Sequence, residues 1–234
     1  MRGLGVDAAG KHGWVGVVID DAGFAAALVA PALIDLIQQA DAATPAERPI
    51  TAIGVDIPIG LVDGPRRSAD AAARAFVGIR RSSVFWAPHR SAIGFTTQAE
   101  ANAHLAAIGM PMVSAQAMGL MARVRETAEV AAVDDRLVEA FPEASFRQLA
   151  GADLPEAKKS ASGALHRIEL LRRADPSIVL PVDLGPAGRV PLDDLFDAAA
   201  AGWSAHRHAR GDAFPLGDPD EIDPVTGRRV AVWV

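Results

Sequence analysis

The chain contains 234 residues, half of them hydrophobic, and it carries a net charge of −6 and no cysteine. A chain of this size can bury one substantial core, so we expect one domain over residues 1–234. The lack of cysteine excludes disulfides, thiolate zinc sites and cysteine nucleophiles, and the acidic balance argues against a general basic surface for nucleic acid. No run approaches the roughly 20 apolar residues of a membrane span, and the first residues lack signal-peptide features, which predicts a cytoplasmic protein without a membrane partner.

Apolar alternation and turn residues predict three short strands at the start of the chain. The segment from Gly10 to Gly13 is typical of a turn, and Asp20-Asp21-Ala22-Gly23 is a strong turn signal before the third strand. Pro31 then opens a helix, because proline is tolerated in a first helical turn. The predicted elements are strands at 2–7, 14–19 and 24–29, a helix at 31–43 and a buried strand at 50–56.

The rest of the chain predicts mainly helices around one further core strand. The predicted elements are helices at 68–77, 98–108, 114–130, 144–149, 160–174 and 192–209, a strand at 136–141 and a strand-like run at 229–234, with 80–97 irregular. This order is that of a ribonuclease H-like core, which the actin and sugar-kinase superfamily shares. We therefore predict an α/β fold in which helices flank a mixed five-stranded sheet, with a helical insertion.

Two aspartates lie at the ends of predicted apolar strands, in two sequence segments that are nearly identical. Leu4-Gly5-Val6-Asp7 and Ile53-Gly54-Val55-Asp56 each place a carboxylate at the close of a β-prone run. A carboxylate in a buried run is costly unless a cation or hydrogen bonds compensate it, and adjacent strands would bring both to one sheet end. Because Mg²⁺ is commonly held by one or two carboxylates, the pair predicts a Mg²⁺ or Mn²⁺ site. The alternative is that each aspartate caps the following turn.

The late alanine-rich helix supplies further carboxylates. Asp194 and Asp197 are three residues apart and share a face, and the helix dipole alone explains Asp194 better than Asp197. Asp197 is therefore the stronger metal-ligand candidate on this helix. Three acids lie around the strand at 136–141, and any one of them could be a further member of the metal site: Asp134, Glu139 and Glu143.

An arginine-rich stretch contrasts with the acidic balance of the chain. Residues 66–90 contain six arginines and a single acidic residue, Asp70, which gives this segment a net charge of +5. Such an island can hold phosphates, and we assign substrate-phosphate contacts to Arg80, Arg81 and Ser83. The alternative is a solvated helix and loop in a protein that uses arginine for ordinary ion pairs.

Five stretches, spread over nearly the whole chain, form one pattern. They are Gly5-Val-Asp7-Ala-Ala-Gly with Gly13-Trp14, Val55-Asp56-Ile-Pro58-Ile-Gly60-Leu61, Arg80-Arg-Ser-Ser83-Val-Phe with Pro88, Glu139-Ala-Phe-Pro142-Glu143-Ala-Ser-Phe146, and the helix of Asp194 and Asp197. Together they resemble the DUF429 family of predicted ribonuclease H-like nucleases. The resemblance implies a layout similar to RuvC-type Holliday junction resolvases, in which acids on the first strand, the fourth strand and the final helix hold two metals, and it carries over to Asp7, Asp56, Asp194 and Asp197. Where relatives show His-Pro-Glu, this chain has Phe141-Pro142-Glu143.

These observations lead to the hypothesis of a Mg²⁺- or Mn²⁺-dependent phosphodiesterase that acts on DNA or RNA by a two-metal mechanism. Asp7 would bridge the metals, Asp56 and Asp197 would complete the pair, and Asp194 or Glu143 would assist. The alternative is a non-catalytic protein of the same fold that binds a nucleotide or a protein partner. An actin-like phosphotransferase ranks last, because it normally needs a second, similarly folded domain.

Overall fold

The computed structural model describes all residues, 1–234, and its centre is a mixed sheet of seven strands. Their spatial order is β3-β2-β1-β4-β5-β7-β6. The pairs β1–β2 and β2–β3 are antiparallel, whereas β1–β4, β4–β5 and β5–β7 are parallel. The strands are β1 (Arg2–Ala8), β2 (Trp14–Asp20), β3 (Gly23–Ala30), β4 (Ala52–Val55), β5 (Leu137–Ala140), β6 (Pro215–Leu216) and β7 (Val232–Trp233).

The predicted α/β class is confirmed, but the count of five strands is wrong. The first five strands form as expected, and β6 and β7 extend the sheet beyond β5. These two strands have only two residues each, which is too short for an alternating hydrophobic pattern to reveal them. Of the strand-like run predicted at 229–234, only Val232–Trp233 forms a strand. This strand, β7, pairs with β5 on one side and β6 on the other.

The chain forms eight α-helices. The helix predicted at 114–130 is divided at Leu120 into two helices, and the irregular segment 80–97 contains only short 3₁₀ turns. No helix combines the length and the hydropathy needed to cross a bilayer. The helices are α1 (Leu33–Ala42), α2 (Ser68–Phe76), α3 (Gln98–Ala107), α4 (Ala115–Gly119), α5 (Met121–Ala131), α6 (Pro142–Ala150), α7 (Ala161–Arg173) and α8 (Leu192–Arg210).

The alternation of side chains along β1 separates the two layers of helices. Leu4 and Val6 point into the core shared with α1 and α5, whereas Gly3 and Gly5 face α8 on the other side of the sheet. Side chains at every second position of a strand share a face, so the side chain of Asp7 lies on the α8 face with Gly3 and Gly5. A glycine is needed at position 5, since a Cβ there would lie 1.9 Å from Gly202 N and 2.1 Å from Ala198 O.

Replacing Gly5 by alanine is expected to destabilise the protein by about 3 kcal/mol, because α8 must move away from β1 to admit the methyl group. This corresponds to a fall of roughly 6–12 °C in the midpoint of thermal unfolding. Gly94→Ala is the matched control, since an added Cβ there meets nothing within 4 Å. Equal midpoints for the two variants would contradict the close contact between α8 and β1.

Candidate metal centre

The parallel pairing of β1 and β4 places two aspartates side by side at one end of the sheet. Val6 is in register with Val55, so the next residue of each strand is Asp7 or Asp56. The pairing continues one step further, because the backbone N–H of Asp56 donates to Val6 O at 3.0 Å. The expectation that adjacent strands bring both carboxylates to one sheet end is confirmed.

Helix α8 brings the third carboxylate from the C-terminal part of the chain. Its small residues allow it to lie directly on β1, with Ala198 beside Gly5, and Asp197 therefore lies next to Asp7. Asp7, Asp56 and Asp197 each offer an oxygen atom such that the three oxygens lie within 4.8 Å of one another. Asp7 and Asp197 are buried, and Asp56 is half-buried. This cluster, which we call the aspartate triad, can hold a metal ion.

Several carboxylate oxygens of the triad are free to accept a cation. Asp7 accepts a hydrogen bond from Ala8 N on Oδ1 at 2.7 Å, and Lys158 donates to Asp197 Oδ2 at 2.5 Å. The carboxylate of Asp56 accepts no hydrogen bond from the protein. One oxygen of Asp7, both of Asp56 and one of Asp197 therefore lack a protein partner, which is the oxygen-rich donor set that a hard divalent cation prefers.

The electrostatics of the triad also favour a bound cation. Burial raises the pKa of Asp7 well above its ordinary value, and the carboxylates of Asp56, Asp197 and Asp194 raise it further. Burial and Asp197 likewise raise the pKa of Asp56, whereas Lys158 opposes the shift. Burial raises the pKa of Asp194 to about 6, with Asp193 and Asp197 adding to the effect. Like charges held together in a desolvated site are stabilised when a cation compensates them.

We expect Asp56→Asn to raise the free energy of unfolding of the metal-free protein at about pH 8, because it removes one of the charges that repel each other in the triad. A carboxyl whose folded-state pKa is raised favours folding below its unfolded pKa and loses that contribution as the pH rises through its folded pKa. The gain should therefore shrink as the pH falls to about 4, where wild-type Asp56 is increasingly protonated. Urea unfolding in EDTA at both pH values measures the difference. A variant less stable than wild type at the higher pH would contradict the repulsion within the triad.

The triad opens into a cleft of about 250 Å³, which we call the acidic cleft. Arg80, Ser83, Lys158 and Asp194 line it, so two of the three residues assigned to substrate phosphate face the carboxylates. Arg81 does not line this cleft and lies in a neighbouring depression beside Trp86. The phosphate contacts of Arg80, Arg81 and Ser83 remain predictions.

The three acids left open around β5 occupy different environments. Glu143 lines the acidic cleft, but Arg167 Nη2 lies 2.8 and 2.9 Å from its two oxygens and Arg80 lies 3.5 Å away. Glu139 is buried and accepts two hydrogen bonds from Arg67. None of the three is part of the aspartate triad. Asp134 pairs with Arg136 at 2.7 Å.

Local sequence does not indicate two residues of the cleft wall. Gln116 and Leu120 come from the insertion between β4 and β5. Nothing in their local pattern separates them from ordinary surface or core residues, since the insertion meets the triad only through tertiary packing. Local sequence gives one indication for Lys158, because a basic pair followed by Ser160 at the start of a helix can contact a phosphate. Its contact with Asp197 joins residues 39 positions apart, so the sequence alone does not predict it.

Comparisons with known proteins identify the family of the chain. No curated protein and no solved structure matches the sequence significantly. A family model described as "Protein of unknown function (DUF429)" matches residues 5–222, a range that contains the whole aspartate triad and every residue named in the acidic cleft. The chain belongs to the DUF429 family.

Proposed function

We propose that this protein is a ribonuclease H-like nuclease that hydrolyses phosphodiester bonds of DNA or RNA with Mg²⁺ or Mn²⁺. The observation that carries the proposal is the aspartate triad, whose members come from β1, the end of β4 and α8. Three antiparallel strands followed by parallel β4 and β5 also match the core that the sequence predicted. The resemblance to RuvC-type resolvases implies acids on the corresponding elements, which supports the same conclusion.

The residues present fit a divalent metal because the triad offers carboxylate oxygens without protein partners. Asp7, Asp56 and Asp197 would hold the metal, and Asp194, one turn before Asp197 in the cleft, would assist. When bound, divalent ions supply Lewis-acid stabilisation of phosphoryl oxygens and lower the pKa of water. Lys158 orients Asp197 by donating to Oδ2 and leaves its other oxygen without a protein partner.

The residues that share the cleft with the triad suit the substrate. Arg80 and Ser83 line the same cleft as the carboxylates, so a phosphodiester bound there would meet the guanidinium group of Arg80 as well as the acids. Glu143 accepts a hydrogen bond from Arg80 at 3.5 Å and is itself paired with Arg167. This pairing gives Glu143 an indirect role in the site, since it positions the guanidinium group that meets the phosphate.

Cleavage of end-labelled oligonucleotides tests the proposal. A panel of single-stranded, duplex and four-way-junction substrates, made as DNA and as RNA, is incubated with Mg²⁺, Mn²⁺ or EDTA. We expect metal-dependent cleavage of at least one substrate and none in EDTA. If no substrate is cleaved and a nucleoside triphosphate binds without turnover, the alternative of a non-catalytic binding protein is favoured instead.

A further inference from the structure

A second groove lies next to the acidic cleft and has the opposite charge. Its volume is about 370 Å³, and Phe85 and Gln116 line both cavities, so the two adjoin each other. Arg66 and Arg74 line this groove, and Arg81 lines a depression that shares Arg74 and Trp86 with it. We call the surface formed by Arg66, Arg74, Arg81 and Trp86 the arginine–tryptophan groove.

The positive charge of this groove is uncompensated. No aspartate or glutamate lines either the groove or the adjoining depression, although the whole chain has a net charge of −6. None of the three arginines forms an ion pair, whereas nearby Arg67 and Arg90 are both bonded to carboxylates. The only hydrogen bond from the side chain of Arg74 goes to the carbonyl of Val84. An anion entering the groove would therefore meet free guanidinium donors.

The groove also presents flat stacking surfaces. The guanidinium groups of Arg66 and Arg74 lie over the indole ring of Trp86, at 4.7 and 5.0 Å from its centroid. Proteins stack unpaired bases on guanidinium planes as well as on aromatic rings, and because Arg66 and Arg74 already cover the indole ring, a base would stack on a guanidinium plane that Trp86 supports, while Arg81 binds a neighbouring phosphate. The bases of a duplex are stacked on one another and cannot use such planes. Charge alone would suit any polyanion, but charge combined with stacking planes suits a single strand.

We propose that the arginine–tryptophan groove binds the unpaired nucleotides that flank the phosphodiester in the acidic cleft. The assignment of the flanking position rests on the proposed nuclease function, whereas the affinity for single strands does not. Phe85 and Gln116 border both cavities, so a strand bound in one lies at the edge of the other. The substrate class is accordingly single-stranded nucleic acid, or a branched molecule with an unpaired segment.

Binding in EDTA tests the groove without any cleavage. A fluorescein-labelled oligothymidylate of roughly 12 nucleotides is titrated with protein at several salt concentrations and followed by anisotropy. The double variant Arg66→Gln/Arg81→Gln should bind more weakly and make the slope of log affinity against log salt less negative by about 1.4, about 0.7 for each phosphate that the protein no longer neutralises. The matched control Arg48→Gln/Arg189→Gln removes two exposed arginines outside the groove and should leave the slope unchanged.

Stacking is tested separately by Trp86→Leu, which removes the indole ring and no charge. We expect its affinity for the oligothymidylate to fall about 10-fold with an unchanged salt slope. Thermal unfolding of each variant checks that the fold is intact. The groove assignment is overturned if wild type does not bind, if the Arg66→Gln/Arg81→Gln variant binds like its control, or if a duplex of equal length binds as tightly as the single strand.

The Asp7→Asn variant separates this inference from the nuclease proposal. It should bind the oligothymidylate in EDTA at least as tightly as wild type, because it changes the acidic cleft and leaves the arginines in place. Groove-dependent binding without metal-dependent cleavage of any substrate would refute the nuclease and keep the groove. Cleavage that is unaffected in the Arg66→Gln/Arg81→Gln variant would keep the nuclease and overturn the assignment of the groove to the nucleotides that flank the cleavage site.

Discussion

Replacing Asp7 by asparagine is expected to lower the rate of metal-dependent cleavage on the order of 10³-fold, as the loss of a single transition-state-stabilising group can do. Asp7 is the residue whose pKa is raised by Asp56, Asp197 and Asp194 together, so it lies among all the other acids of the site. Asparagine keeps the shape of the side chain and removes the charge that a hard divalent cation requires.

Rates of product formation from the best oligonucleotide substrate, measured for wild type and variant at saturating Mn²⁺, check this prediction. Asp35→Asn is the matched control, because it makes the same chemical change on the exposed surface of α1. The control should cleave at the wild-type rate. An Asp7→Asn protein whose rate stays within a few-fold of wild type would show that the triad is not the catalytic centre.

The second large effect is predicted for a buried ion-pair network beside the triad. Arg67 is almost completely buried and donates to both oxygens of Glu139, at 2.7 and 2.9 Å, as well as to Asp70. It also bonds the carbonyls of Ile59 and Gly60, so it fixes the segment that follows Asp56. We expect Arg67→Met to destabilise the protein by about 3–5 kcal/mol, because two buried carboxylates lose their cation.

Urea unfolding at neutral pH measures this loss. Arg173→Met is the matched control, since Arg173 pairs with Glu169 at 2.6 Å on an exposed part of α7, and a surface substitution of this kind stays within about 0.5 kcal/mol. Adding Glu139→Gln and Asp70→Asn to Arg67→Met should recover part of the stability by removing the unpaired charges. Equal stability of the two single variants would contradict the role of the network.

Part of the site follows directly from local sequence. The two similar segments that end in Asp7 and Asp56 predict two strands, each with a carboxylate at its end. The parallel register of β1 and β4 brings the two carboxylates together. The early acids of α8 are visible from helical spacing, because residues three apart share a face. Strand ends and helix faces are properties of short windows, and so the sequence reveals them.

Other parts depend on contacts between distant segments. Asp197 reaches the triad because Gly5 and Gly202 let α8 lie against β1, a fit that neither segment reveals alone. The pairing of Glu139 with Arg67 joins residues 72 positions apart, which is why the sequence alone leaves this glutamate as a free candidate. The stacking of Arg66 and Arg74 on Trp86 likewise arises only when the segment after α2 folds back.

The central claim is that the aspartate triad binds a divalent metal, and calorimetric titration of Mn²⁺ into wild type and Asp7→Asn tests it most directly. The titration is made at about pH 8, above the pKa of about 6 for Asp194, so that this neighbouring carboxyl is ionised. We predict heat of binding for wild type and its loss, by at least about 10-fold in affinity, for the variant. Equal binding by both proteins, or none by wild type, would contradict the assignment of a metal site to the triad.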